Sequence, residues 1–170
     1  MRNRLLRACA NFLILFFVLI GAQSAQAITG TISGDGSDYL VADGCGSDSS
    51  FGPFKITLRT GRKWRMAVSS GAVYTGSFTA DSSQRNVVLS LDSSSENRLV
   101  NSLKRWGSYL CGTSVRIKSH SKAVVRIRFS ADFKQANGKL VMAATGKTEF
   151  GTGTARYTAQ FTGAAFSGRR

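Results

Sequence analysis

The residues that could do chemistry are few, and their spacing fits no familiar reaction. His120 is the only histidine and sits in Ser119-His120-Ser121. A serine nucleophile working with it needs a strained turn to present the hydroxyl. No Gly-x-Ser-x-Gly elbow exists, and Asp132 lies far along the next predicted strand. The histidine is therefore expected in an exposed turn, and no residue is predicted to be catalytic. Gly146-Lys147-Thr148 ends like a phosphate loop, but the glycine due five positions before Gly146 is Val141. Gly151-x-Gly153 opens a predicted strand rather than a helix, so it is no dinucleotide loop. Asp35, Asp38 and Asp43 offer oxygens for calcium, yet their spacing is not that of an EF-hand loop and no bidentate glutamate follows. Cys45 and Cys111 with one distant imidazole make a poor zinc set. The expectation is a protein that is not an enzyme and needs no metal or cofactor.

Charge is the stronger signal. The chain carries 23 Lys and Arg against nine Asp and Glu, a formal charge of +14. Arg116, Lys118, Arg126, Arg128, Lys147 and Arg156 take the outward positions of four consecutive predicted strands. The register expected there sets Arg128 opposite Lys147 and Arg126 opposite Glu149. A like-charge cross-strand pair is unfavourable unless an anion lies against it. These six residues are the predicted anion-binding set, with a polyanion as partner: acidic polysaccharide, lipopolysaccharide or nucleic acid. The same cations equally suit a solvated face that blocks edge-to-edge pairing. Arg62-Lys63-Trp64-Arg65 is a second basic group, but the alternation points Trp64 to the core rather than to a ligand.

The beginning of the chain reads as an export signal. Arg2, Arg4 and Arg7 precede the apolar run Phe12–Ile20, and small residues follow to Ala25-Gln26-Ala27. A spanning helix needs roughly 20 apolar residues. The shorter run predicts a signal peptide over 1–27, cut after Ala27, and an exported product, periplasmic or secreted. No later run is long enough to span. Cleavage takes away three arginines and leaves 20 bases against nine acids, a charge of +11. In an oxidising compartment Cys45 and Cys111 are expected to form one disulfide. Closing so long a loop is worth roughly 4 kcal/mol in loop entropy.

The elements follow from periodicity. Residues 28–50, rich in Gly, Ser and Asp, read as a loop-like lead-in with one short strand at Asp38–Ala42. Residues 51–170 read as a single β-rich domain. Phe54, Ile56 and Leu58, then Trp64, Met66 and Val68, alternate with polar residues about a turn at Thr60-Gly61. Val73–Ala80 and Asn86–Asp92 continue the pattern. Ser93 and Glu96 form a capping box, and Leu99, Leu103, Trp106 and Leu110 share one helical face. An amphipathic helix is predicted over about 94–106, with Gly107 as its left-handed stop. Val115–Lys118 and Val125–Lys134 are the next strands. Asn137-Gly138 predicts a type I′ hairpin that sets Phe133 opposite Met142 and Phe129 opposite Gly146. A last strand over Thr154–Phe166 turns Ala155, Tyr157, Ala159, Phe161 and Gly163 to one face.

Seven or eight short strands with one helix predict a mainly β protein, an antiparallel meander closed as a small barrel or folded as a sandwich. In outline it is similar to lipocalin-type barrels, without their Gly-x-Trp signature near the first strand. An outer-membrane barrel needs an apolar outer band, whereas here the polar face carries Arg and Lys. Tyr74, Phe78, Phe129, Phe133, Tyr157 and Phe161 are expected inside among many Ala and Gly, either as a filled core or as the wall of an apolar ligand cavity. Val68-Ser69-Ser70-Gly71-Ala72-Val73-Tyr74 resembles, over seven residues, the Ser-Gly…Tyr loop of small periplasmic lysozyme-inhibitor barrels; their Trp-x-Lys-Gly strand is absent. The expected function is that of an exported, non-enzymatic binding or envelope-associated protein that contacts polyanions. Carriage of an apolar ligand and inhibition of a periplasmic enzyme are the alternatives.

Overall fold

The computed structural model describes residues 28–165, so the predicted signal peptide lies outside the described residues. The chain forms β1 (Gly30–Ala42), β2 (Gly46–Arg59), β3 (Lys63–Val68), β4 (Val73–Ala80), β5 (Asn86–Leu91), helix α1 (Ser93–Cys111), β6 (Arg116–His120), β7 (Val124–Phe129), β8 (Gln135–Thr148) and β9 (Gly151–Ala165). Neighbouring strands pair antiparallel, and β9 returns to β1 from Ile32 opposite Ala165 to Ala42 opposite Ala155. β6 and β7 lie end to end along one edge of β8, opposite residues 144–147 and 136–141. They are two segments of one stave, broken where the Ser121 hydroxyl accepts from the Ala143 amide. The result is a closed barrel of eight antiparallel staves with one helix.

Closure depends on small residues at the seam. Gly34 of β1 stands opposite Gly163 of β9. A Cβ on Gly34 would lie 2.3 Å from the Thr162 carbonyl oxygen, closer than any side chain tolerates. The barrel interior holds the alternating apolar residues: Ile32, Leu40, Phe54, Ile56, Leu58, Trp64, Phe78, Leu89, Val125, Ile127, Phe129 and Met142 are all buried. Trp64 is a core residue, as its alternation predicts. Its indole N–H donates inside the barrel to the carbonyls of Ser77 and Ser90, both at 3.0 Å.

Four expectations are corrected. The lead-in over 28–50 is instead a 13-residue strand and the start of β2. Its inward positions include Gly30, Gly34, Gly36 and Asp38, so the period of two is present but carried by residues with little or no apolar side chain. Ile28 and Ile32 are buried with the core.

The hairpin at Asn137-Gly138 does not form. β8 runs straight through both residues, and the turn falls at 130–134, where Phe133 has φ of 58°. Ser130 and Asp132 build that turn: the Ser130 hydroxyl donates to Asp132 Oδ1 at 2.6 Å and accepts from the Gln135 amide at 3.0 Å. Phe129 therefore stands opposite Ala136, and Phe133 packs on Phe129 from the turn. Gly138 is required for a different reason: the Phe161 ring lies where its Cβ would be, 1.7 Å from the nearest ring atom.

The helix is longer than predicted. Asp92 caps it, accepting from the Ser95 amide at 2.8 Å, and Gly112 ends it with φ of 63°. Gly107 lies buried within the helix. A donated hydrogen bond from the Thr75 hydroxyl, then the Ser95 amide, holds the Asp92 carboxyl well below the usual carboxylate range. Finally, His120 belongs to β6 rather than to a turn, and its ring stands 3.8 Å from Glu96 on the helix.

α1 crosses the end of the barrel where β1 turns into β2 and β8 into β9. Ser95, Leu99, Leu103 and Gly107 form its buried face. The Ser95 hydroxyl accepts from the Thr75 amide at 2.8 Å, which ties the helix start to β4. Cys45 and Cys111 are disulfide-bonded, which ties its end to the β1–β2 turn.

Candidate functional site

Two cavities flank the helix. The larger, about 370 Å³, opens between α1 and the β1–β4 side of the barrel and reaches Val125 and Leu140 on the far wall. Leu91, Leu99, Leu103 and Trp64 complete its apolar depth. The smaller, about 250 Å³, lies beneath the disulfide among Leu40, Cys111, Met142 and Phe150. Leu103 and Tyr157 line both cavities and form the partition between them.

The rim of the larger cavity is polar and ordered. Asp38 and Asp48 come from inward positions of β1 and β2, Tyr157 from β9, Tyr74 from β4, and Ser102 and Trp106 from the helix. The Tyr157 hydroxyl donates to Asp38 Oδ2 at 3.2 Å. The Trp106 indole N–H donates to Asp48 Oδ2 at 2.8 Å. The Trp106 and Tyr157 rings meet edge to face, with centroids 6.3 Å apart. Burial pushes the Tyr157 phenol far above its ordinary value, and the Asp38 carboxylate adds to the shift. Burial also raises the Tyr74 phenol, against a smaller opposing effect of the Ser102 hydrogen bond. Both phenols therefore stay neutral at physiological pH.

The basic set lies on the outer wall. Arg116 stands opposite Lys147 at the helix end of β6 and β8. Lys118 sits at a β-bulge between Ile117 and Ser119. Arg156 of β9 faces Ala143 of β8, while Arg126 faces Lys139 and Arg128 faces Asn137. The six thus share one outer face, but the cross-strand partners differ from the expected ones because the turn before β8 falls at 130–134. Arg128 does not face Lys147, nor Arg126 Glu149. The like-charge neighbours are Arg116 with Lys147 and Arg126 with Lys139. Arg126, Arg128 and Lys139 border a shallow depression with Asn86, Asn137 and Gln160. Two ion pairs occur among the described residues, His120 with Glu96 and Lys134 with Asp132, and neither uses one of the six cations.

No group of three or more His, Cys, Asp and Glu able to hold a metal occurs among the described residues. No helix among them is long and apolar enough to cross a membrane. No protein-family model matches this chain, and no curated protein matches its sequence.

The sequence pointed Tyr74, Tyr157 and Phe161 inward, and all three line the larger cavity. It missed Asp38, Asp48 and Trp106 as rim residues. Asp38 and Asp48 share the parity of Leu40 and Phe54, which is the signal that would have placed them inside. Trp106 was visible as part of the helix stripe, but the strand beneath it was not.

Proposed function

We propose that this chain is a non-enzymatic binding protein that holds a small, largely apolar molecule in the mouth of its barrel. The observation that carries this is the cavity beside α1, about 370 Å³, with an apolar interior and a rim of two phenols, one indole and two carboxylates. An apolar pocket with a few convergent polar groups is the usual make-up of a small-molecule site. An eight-stranded barrel is just wide enough to be filled by its own side chains or to hold one small ligand. Here Gly36, Gly52, Ala72 and Ala159 line the cavity, where larger residues would fill it. The disulfide supports a place of action outside the reducing cytoplasm, in the periplasm or beyond the cell.

The test is uptake of a neutral naphthylamine dye, read by fluorescence, together with native mass spectrometry of gently purified protein. One saturable dye site is expected, lost when Ala159→Leu narrows the cavity, with the melting temperature little changed. Absence of saturable uptake refutes the proposal.

A second function has its own support. The six predicted cations have no acid within 4 Å among the described residues, and two like-charge pairs stand side by side on neighbouring strands. A polyanion laid along this face relieves both repulsions. Later elution from heparin than from a plain sulfonate resin, lost in the Arg126→Glu, Arg128→Glu variant, is the expected result. Equal elution from both resins would reduce the face to a solubilising surface.

A further inference from the structure

We infer that the molecule taken by this cavity is an organic cation: an alkylammonium or quaternary ammonium group carried on an apolar body. The inference rests on the ligand-binding function proposed above and adds the charge of the ligand.

The cavity runs against the rest of the molecule. The chain has 23 Lys and Arg against nine Asp and Glu, yet the only charged residues lining the cavity are Asp38 and Asp48. Both occupy inward positions of adjacent strands. Asp38 stands opposite Ser50 and Asp48 opposite Leu40, so the two carboxylates are diagonal neighbours on one face. Neither has a basic side chain within ion-pair distance among the described residues. Two helix arginines lie near the rim without lining the cavity: Arg98 donates to the Val73 carbonyl and Arg105 to the rim hydroxyl of Ser102, and both act on the Tyr74 phenol.

The hydrogen bonds these carboxylates do receive come from aromatic residues. Tyr157 donates to Asp38 and Trp106 to Asp48, and the two rings meet edge to face at the rim. Asp48 accepts one further bond, from the Ser49 amide at 2.8 Å. Donation through the hydroxyl and the indole N–H ties both aromatic residues to the carboxylates at the rim. Ring faces beside carboxylates are the chemistry that recognises ammonium groups: the quadrupole attracts the cation, and the carboxylate supplies the counter-charge. An apolar body then extends toward Leu99, Val125 and Leu140. A fatty carboxylate of the same length meets the two carboxylates that line the cavity, and no cation is among its lining residues.

The experiment is calorimetric titration of the folded, disulfide-bonded protein with three ligands of one chain length, each kept below micelle formation: decyltrimethylammonium, decanol and decanoate. Net charge alone favours decanoate. The inference predicts that decyltrimethylammonium binds at least about tenfold more tightly than decanoate, the scale of a desolvated cation–π contact. Asp48→Asn, at an exposed position and with an amide oxygen still able to accept from Trp106, should weaken the ammonium severalfold and leave decanol unchanged. Asp38→Asn is the second variant, with its melting temperature as the check on folding. Equal binding of all three ligands, or an ammonium preference that survives Asp48→Asn, overturns the inference and leaves the cavity function standing. Binding of none of the three overturns both.

Discussion

Gly138 offers a decisive test of the register of β8. It stands mid-strand opposite Ile127 and Phe161, and a Cβ placed on it would lie 1.7, 2.2 and 2.3 Å from three atoms of the Phe161 ring. Gly138→Ala must therefore displace the ring. Phe161 is itself tilted against Phe54, with ring centroids 4.8 Å apart, and has little freedom to retreat. Overpacking of this kind costs about 1–3 kcal/mol. For a domain of this size each kcal/mol lowers the melting temperature by roughly 3–4 °C. A drop of about 5–10 °C is expected by differential scanning calorimetry. The single variant alone is not diagnostic, because alanine at a left-handed turn position would also cost about 1 kcal/mol or more. The double-mutant cycle is diagnostic. Phe161→Ala opens space on top of residue 138, so Gly138→Ala in that background should cost nearly nothing, giving a coupling energy of more than about 1 kcal/mol. Asn137→Ala, exposed and mid-strand, should stay within about 0.5 kcal/mol. Additive costs for the Gly138 and Phe161 changes, or a severe loss at Asn137, would restore the type I′ turn and refute this register.

Asp92→Ala removes both the helix cap and the acceptor for Thr75, and should lower stability by about 1–2 kcal/mol at neutral pH. Because the native carboxyl titrates below its ordinary range, its contribution is present above that range and is lost as pH falls. Melting curves of the native protein and the variant should therefore converge as pH drops below about 4; a gap constant down to pH 2 would contradict the capping role. Tyr157 behaves in the opposite sense. Its raised phenol contributes stability below the ordinary tyrosine range and loses it as pH rises above about 10, so Tyr157→Phe should flatten the alkaline limb of the stability curve, and an unchanged limb would count against the buried Tyr157–Asp38 contact.

The barrel was legible where the alternating residues are bulky and apolar. Phe54–Leu58, Trp64–Val68 and the inward face of β9 stand where periodicity puts them. Sequence reasoning failed where the same parity is carried by Gly, Ser and Asp, as along Gly30–Asp38. A strand of that composition earns its pairing from neighbours on both sides and leaves no local trace. The Asn137-Gly138 error has a similar cause. Glycine there reports a ring contact with its cross-strand partner, a residue 23 positions later in the chain, and local turn chemistry cannot distinguish that from a positive φ. The same displaced turn changed which cations face one another, although all six keep their outer positions. The helix was legible as a helix, but its cap was misplaced by one residue because Ser93 and Asp92 are both good caps. Asp92 wins through its added bond from Thr75 of β4. The cavity was legible only as small residues among aromatics, since an unfilled volume depends on the angle at which α1 crosses the barrel end.

The two fastenings of α1 have a mechanical consequence. One end is held by hydrogen bonds at Asp92 and Ser95, the other by a covalent bond at Cys111. A segment pinned at both ends cannot swing as a door; it acts as a fixed mullion, dividing the barrel mouth into two windows with Leu103 and Tyr157 as the sill between them. If the cavity takes a ligand, as proposed, passage through such a mouth is expected to depend on window width rather than on hinge motion. Slender molecules should then enter end-on more readily than branched ones.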